Sequence, residues 1–178
     1  MERSKLADLS EIFSSIAIVV TLVYLTVEID QNTDAIHAQT REAVLTGAQT
    51  ELAAVRDNPN LIKSMIKTQH LNTDEQIQLF AWITSIMRTR EFAWLQRQNG
   101  IIDDSQWATE LAVLSGILES TRTRLWWEKI GRKAVSEEFG VFVDDLLKDL
   151  PTSDGFFETQ TNWASEPSAK IATPPNDK

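Results

Sequence analysis

Residues 12–27 read IFSSIAIVVTLVYLTV, an unbroken run without a charged side chain, and the reading of that run decides the rest of the chain. As a helix rising 1.5 Å per residue it is about 24 Å long, or about 27 Å with Ile29 added and the Glu28 carboxylate turned toward the headgroups. That length just crosses the hydrocarbon of a bilayer. A helix apolar on every side is either a membrane span or a buried core helix of a soluble bundle. Core helices of such uniform apolarity are usually shorter, so a span over residues 12–29 is expected. Ser14, Ser15 and Thr21 do not oppose it, because hydroxyls in a span bond within the helix or to a neighbouring one. The leading MERSKLADLSE, residues 1–11, is mixed in sign, and no small-x-small cleavage site follows the apolar core, so the segment is expected to stay as an anchor.

Arg3 and Lys5 precede the run, while Glu28, Asp30 and Asp34 follow it before the first basic residue, Arg41. A Lys and Arg count therefore slightly favours an N-terminus inside and the following domain outside the cytoplasm. With no cysteine the chain fits either redox compartment. The net charge of −9 and the lack of any basic cluster speak against a nucleic-acid partner, whose phosphates require grouped Lys and Arg. The pairs Arg88 with Arg90 and Arg122 with Arg124 sit among acids and aromatics and read as helix-surface ion pairs.

Outward from the run the periodicity is helical throughout, and the chain is expected to be all-α: a long N-terminal helix followed by a small helical bundle. Ile36, Val44, Leu45, Ala48, Leu52 and Val55 recur at threes and fours, which continues the span as an amphipathic helix over residues 30–57, straight or bent near 30–33. Asp57-Asn58-Pro59-Asn60 is the first clear stop. The helical domain, 58–150, then holds a short helix over 61–68, a long one opened by a Thr73/Gln76 capping box and ended by Gly100, and three more. The long helix presents Phe80, Ile83, Met87 and Trp94 inward, with Ile77, Ile86 and Ala93 beside them. The next starts at Asp103 or Asp104 and loosens near Ser115-Gly116, another carries Trp126-Trp127, and the last is capped by Ser136. The tail, 151–178, has the Ser, Thr, Pro and Asp content of a disordered segment. Its Phe156, Phe157 and Trp163 form either a clip onto the domain or a docking motif.

Chemistry is sparse. Two histidines, His37 and His70, no cysteine and six glycines leave no catalytic constellation, no metal-ligand pattern and no phosphate-cradling loop, so neither a catalytic residue, a metal nor a cofactor is expected. Arg90 falls in register with the apolar stripe of its helix. It reads either as a boundary arginine with a packed stem or, with Glu91, Trp94 and Arg97, as a buried ion pair or a site for a small anion. Trp126 and Trp127 lie about 100° apart on their helix, which leaves one of them as an anchor for a partner unless the helix is widely covered. On the span, Ser10, Ser14, Ala17 and Thr21 recur at four, three and four and form a small-residue seam suited to self-association.

The stretch SEIFSSIAIVVTLVYLTVEIDQNT, the pattern from Gln96 to Gly100 with Ile101-Ile102-Asp103 and Trp107, and Trp126-Trp127 followed by Phe139 and Phe142-Val143-Asp144 resemble a family of uncharacterised bacterial proteins. The resemblance spans about Ser10 to Leu150. It implies one N-terminal hydrophobic helix and a small helical domain in the bacterial inner membrane, and no activity. Where the family often has a basic residue before Gln31-Asn32-Thr33, this chain has Asp30, so no orientation is taken from it. The functional expectation is a non-enzymatic, single-pass membrane protein that binds an unidentified protein partner or forms a homo-oligomer. The alternative is a soluble or peripheral helical sensor or enzyme acting on a small anion near Arg90.

Overall fold

A computed structural model describes the backbone of residues 2–67 and 69–165 and the side chains of 13, 14, 16–67 and 69–165. Among the described residues there are seven α-helices and no strand: α1 (Glu2–Asp57), α2 (Asn60–Ile66), α3 (Thr73–Gln98), α4 (Asp104–Glu119), α5 (Thr121–Lys129), α6 (Glu137–Asp149) and α7 (Gly155–Asn162). The chain is all-α, a long N-terminal helix followed by a small bundle. It forms two units, residues 1–42 and 43–178.

The first unit is helical from Glu2 onward, and its large apolar side chains from Phe13 to Ile29 are exposed. The hydroxyls in it are satisfied locally. Thr21 donates to the Ala17 carbonyl at 2.8 Å, Thr26 to Leu22 at 3.0 Å and Thr33 to Ile29 at 2.9 Å, the i−4 bonds that let hydroxyls sit on an apolar helix. α1 is helical without a break through Asp30–Thr33.

In the second unit α3 packs on α2 and α4, and α4 also meets α5, α6 and α7. The core joins Met65, Ile83, Met87, Leu114, Leu118, Phe139 and Val143, all essentially without solvent contact. A smaller cluster, Val44, Ala93, Ile102 and Trp107, packs the 43–57 part of α1 against α3 and α4. α3 buries Leu79, Trp82, Ile83, Ile86, Met87 and Ala93, whereas Ile77 and Phe80 are exposed. The buried stripe is thus turned by part of a residue step from the one the periodicity suggests, because α4 and α7 cover the Trp82 side.

The caps follow from local chemistry, one of them in a shifted register. The box that opens α3 is Asn72 with Glu75, not Thr73 with Gln76. Asn72 Oδ1 accepts from Glu75 N at 2.9 Å and Glu75 returns the bond at 2.8 Å. A carboxylate serves better here than an amide, since Lys67 Nζ also reaches it at 3.0 Å. That bond to the Asn72 backbone N–H, together with Lys67, holds the Glu75 carboxyl below the ordinary glutamate range. Gly100, at φ 73°, takes the left-handed position that ends α3. α2 ends at Ile66, and Thr68 lies outside the described residues.

The expectation of a disordered tail from residue 151 is corrected for its first part. Residues 155–162 are helical, and Phe157 is buried against Trp82 with ring centroids 6.1 Å apart. Two bonds hold the segment to the junction of α4 and α5: Ser153 N donates to Glu119 O at 2.9 Å, and Asp154 accepts from Thr121 N at 3.2 Å. Gly116 gives Phe156 its seat, since a Cβ there would collide with the ring. For the same reason α4 does not loosen at Ser115-Gly116 but runs on to Glu119. Residues 166–178 lie outside the described residues.

Candidate functional site

The polar centre of the second unit is built around Arg90. In register with the core on α3, it reaches α1 and α4: Nη2 lies 3.1 Å from Glu51 Oε2 and Nη1 3.0 Å from Glu110 Oε2. The Arg90 and Glu51 side chains are 4% and 9% exposed, so this is an ion-pair triad withdrawn from water. Gly47, one turn before Glu51, sits against Thr89; without a side chain there, α1 closes on α3 and Glu51 comes within reach of Arg90.

Glu51 is the residue that the apolar periodicity hides. Of the stripe on α1, Val44 is buried and Ala48 and Val55 are half-buried, but Leu45 and Leu52 are 63% and 70% exposed, while Glu51, outside the stripe, is buried. The only signal for Glu51 in the sequence is Arg90 on an apolar face, a cation requiring a counter-charge, and that does not say where the carboxylate stands in the chain. Burial pushes the Glu51 carboxyl above the ordinary glutamate range, against the pull of Arg90, and Glu110 adds to the rise.

The four residues expected as an anion site are not gathered around one cavity. Glu91 Oε1 accepts from the Ser136 backbone N–H at 2.7 Å, tying α3 to the start of α6, and its other oxygen pairs with Arg88. Trp94 is wedged between Phe139 and Phe142, with centroids at 5.7 and 6.0 Å. Arg97 pairs with Asp104 at 3.1 Å, lies over the Trp107 ring at 5.6 Å, and lines a separate depression with Gly100 and Ile102. Arg90 borders a different cavity from Arg97, and two carboxylates already bind it.

Of the aromatic anchors, Trp126, Trp127 and Phe157 are buried and Phe156 is half-buried, so they build the core rather than offering a free docking face. α5 is covered widely enough to bury both tryptophans: Trp127 donates its indole N–H to Asp144 at 2.8 Å, and Trp126 lies over Gly131 in a 3-10 turn, Gly131–Lys133, that the sequence did not signal. Burial opposes ionisation of Asp144, but the Trp127 bond and Arg132, whose Nε is 2.7 Å from Asp144 Oδ2, hold its carboxyl below the usual range. Trp163 remains 77% exposed.

Arg122 and Arg124, expected as surface ion pairs, instead bind backbone carbonyls. Arg122 holds Lys67 and Gln69, and Arg124 holds Leu150 at 2.7 Å and Pro151 at 3.0 Å, satisfying groups left open past the ends of α2 and α6. Ser136 does precede α6, but its hydroxyl makes no capping bond. In the seam, Ser14 is exposed and Thr21 bonds back to Ala17; the Ser10 side chain lies outside the described residues.

The cavity beside Arg90 has a volume of about 500 Å³. Glu51, Arg90, Trp82, Ile86 and Ile117 line its inner part, and Leu52, Phe156 and Trp163 its mouth. Of the cavity-lining residues, Glu51 Oε1, Arg90 Nε and the Trp82 indole N–H are buried without a hydrogen-bond partner. No group of three or more His, Cys, Asp or Glu side chains is placed to hold a metal among those residues. Comparison with protein-family models, curated proteins and solved structures found no match, so the family resemblance rests on the quoted residues alone.

Proposed function

We propose that this is a non-enzymatic single-pass membrane protein, anchored by residues 12–29 and presenting its helical domain to a protein partner or to further copies of itself. The observation that carries the reading is the exposure of the described apolar side chains of the run, among them Phe13, Ile16, Val20, Tyr24 and Ile29. A continuous exposed apolar surface of this kind marks a membrane or an interaction site, and one helix is long and apolar enough to cross a bilayer. The Lys and Arg count supports an N-terminus inside, and the resemblance supports a bacterial inner membrane.

Carbonate and detergent extraction of cell membranes tests the anchor. Full-length protein is expected in the carbonate pellet and in the detergent extract; recovery in the carbonate supernatant overturns the reading. Self-association through Ser10, Ser14, Ala17 and Thr21 is tested by replacing Ser14 and Ala17 with leucine, which keeps the segment apolar while holding neighbouring backbones apart. Crosslinking in bilayers is expected to weaken in that variant and to stay unchanged when Ile16 and Val20 become leucine. Equal crosslinking in both removes the seam.

A further inference from the structure

We propose that the cavity bounded by the 43–57 part of α1, α3, α4 and α7 is a binding site for a small amphipathic amine. Its protonated amino group rests on Glu51, and its aromatic or short aliphatic body lies among Trp82, Ile86, Ile117 and Phe156. The proposal is independent of the anchor, since every residue in it belongs to the second unit.

Size and lining define the body of the ligand. At about 500 Å³ the cavity falls within the range that encloses small organic molecules, about 300–1,000 Å³, and its walls are apolar but for a few polar groups. Such a site binds through the apolar surface it removes from water and orients the ligand through those few groups.

Charge defines the head. Arg90 carries one positive charge, and Glu51 and Glu110 carry two negative ones when ionised, so the buried cluster has one negative charge in excess. Glu51 and Arg90 are the charged groups on the cavity wall among the described residues. An incoming carboxylate or phosphate adds to the excess, whereas an ammonium cancels it. The acceptor is specific: Glu51 Oε2 is taken by Arg90, while Oε1 has no hydrogen-bond partner, and a buried carboxylate oxygen left bare is costly. The Thr89 hydroxyl interacts with the Glu51 carboxylate and with Ser85 O, 3.1 Å away, and has a single hydrogen to give to the two. An ammonium N–H on Oε1 supplies the missing bond in its charge-assisted form.

Trp82 serves both parts of such a ligand. Its ring offers a π face to a cation, and its unpartnered indole N–H can donate to a ligand oxygen. Trp163, 77% exposed, and Leu52, 70% exposed, add large apolar side chains to the lining. Burial raises the Glu51 carboxyl in the empty protein, which reflects the same uncompensated environment that a cation relieves.

The test titrates the full chain in lipid nanodiscs by calorimetry, against empty discs, with three probes on one body: 2-phenylethylamine, 2-phenylethanol and 3-phenylpropanoate. The amine is expected to bind saturably, at least about tenfold tighter than the alcohol, with no saturable binding of the carboxylate. Glu51→Gln is expected to weaken the amine about tenfold and leave the alcohol within about twofold. Ala48→Trp, which fills the cavity from the α1 side, is expected to abolish both. The proposal is overturned if the carboxylate binds as well as the amine, if amine affinity survives Glu51→Gln or Ala48→Trp unchanged, or if the amine shows no saturable binding up to about 10 mM, tenfold above a millimolar dissociation constant. Should Glu51→Gln not fold, the amine-against-carboxylate comparison and Ala48→Trp decide.

Discussion

Residues 13–29 and 43–57 belong to one helix and treat their apolar side chains in opposite ways. In the first stretch they cover every side, and the large ones from Phe13 to Ile29 are exposed. In the second, one face is buried and it takes only part of the apolar stripe: Val44, Gly47, Glu51 and Val55 face the bundle while Leu45 and Leu52 stay outside. What a helix buries is decided by what stands opposite. A glycine that permits close approach to Thr89 and a carboxylate that meets Arg90 fix the rotation of the second stretch against the preference of two leucines. In the first stretch the described apolar side chains are exposed among the described residues.

The largest effect that breaks this contrast is charge in the first stretch. Val19→Arg with Val23→Arg places two guanidiniums near the centre of the run, each costing about 2.5–3.5 kcal/mol to insert, and membrane recovery in the carbonate pellet is expected to be lost. The second unit is expected to keep its circular dichroism melting profile, because neither residue contributes to its core.

Next is Arg90→Ala, which leaves Glu51 and Glu110 buried without their cation. Denaturant unfolding followed by circular dichroism is expected to show a loss of about 3–5 kcal/mol. Replacing Arg90, Glu51 and Glu110 together by Met, Leu and Leu is expected to recover most of it, since a well-packed apolar triad is often as stable as a buried ionic one.

A smaller effect separates the buried carboxylate from the half-exposed one by pH. The folded pKa of Glu51 lies above its unfolded value, so its contribution is fully present below the ordinary glutamate range and is lost as pH rises through the folded value. That of Asp144 lies below its unfolded value, so its contribution is present above the ordinary aspartate range and is lost as pH falls through the folded value. On acidification from pH 7, Asp144→Asn is expected to flatten the loss of stability and Glu51→Gln to steepen it. Melting temperature against pH reads both.

The smallest effect sharpens the rotation of the second stretch. Leu45→Ser and Leu52→Ser are expected to change unfolding free energy by no more than about 0.5 kcal/mol each, as exposed positions do. A loss above about 2 kcal/mol at either would return the buried face to the leucine stripe.

Much of the architecture is legible in the chain because its signals are local. Gly100 ends α3 where only a left-handed residue closes the turn, and Asp103 caps α4 by accepting from Gln106 N at 2.9 Å, an interaction completed within four residues. Asn72 and Thr73 both suit a cap and differ by one position, and Lys67, five residues before Asn72, adds a second bond to Glu75 that the local pattern does not contain. The Arg90 site is legible only by half. A cation on an apolar stripe is visible in sequence, but Glu51 lies 39 residues away and on a position that hydropathy assigns to the solvent side.

By itself the sequence determined the all-helical architecture, the apolar run, the main breaks between helices and the absence of familiar catalytic motifs, because periodicity, turn residues and run length act over a few residues at a time. The tertiary structure alone decided which face of α1 is buried, that residues 155–162 fold onto α4 with Phe156 over Gly116, and that Arg90 is matched by two carboxylates beside a cavity. Each of these depends on which surfaces meet. A missing Cβ, a buried charge or a bare carboxylate oxygen acquires its energetic meaning only from the atoms brought opposite it by the fold.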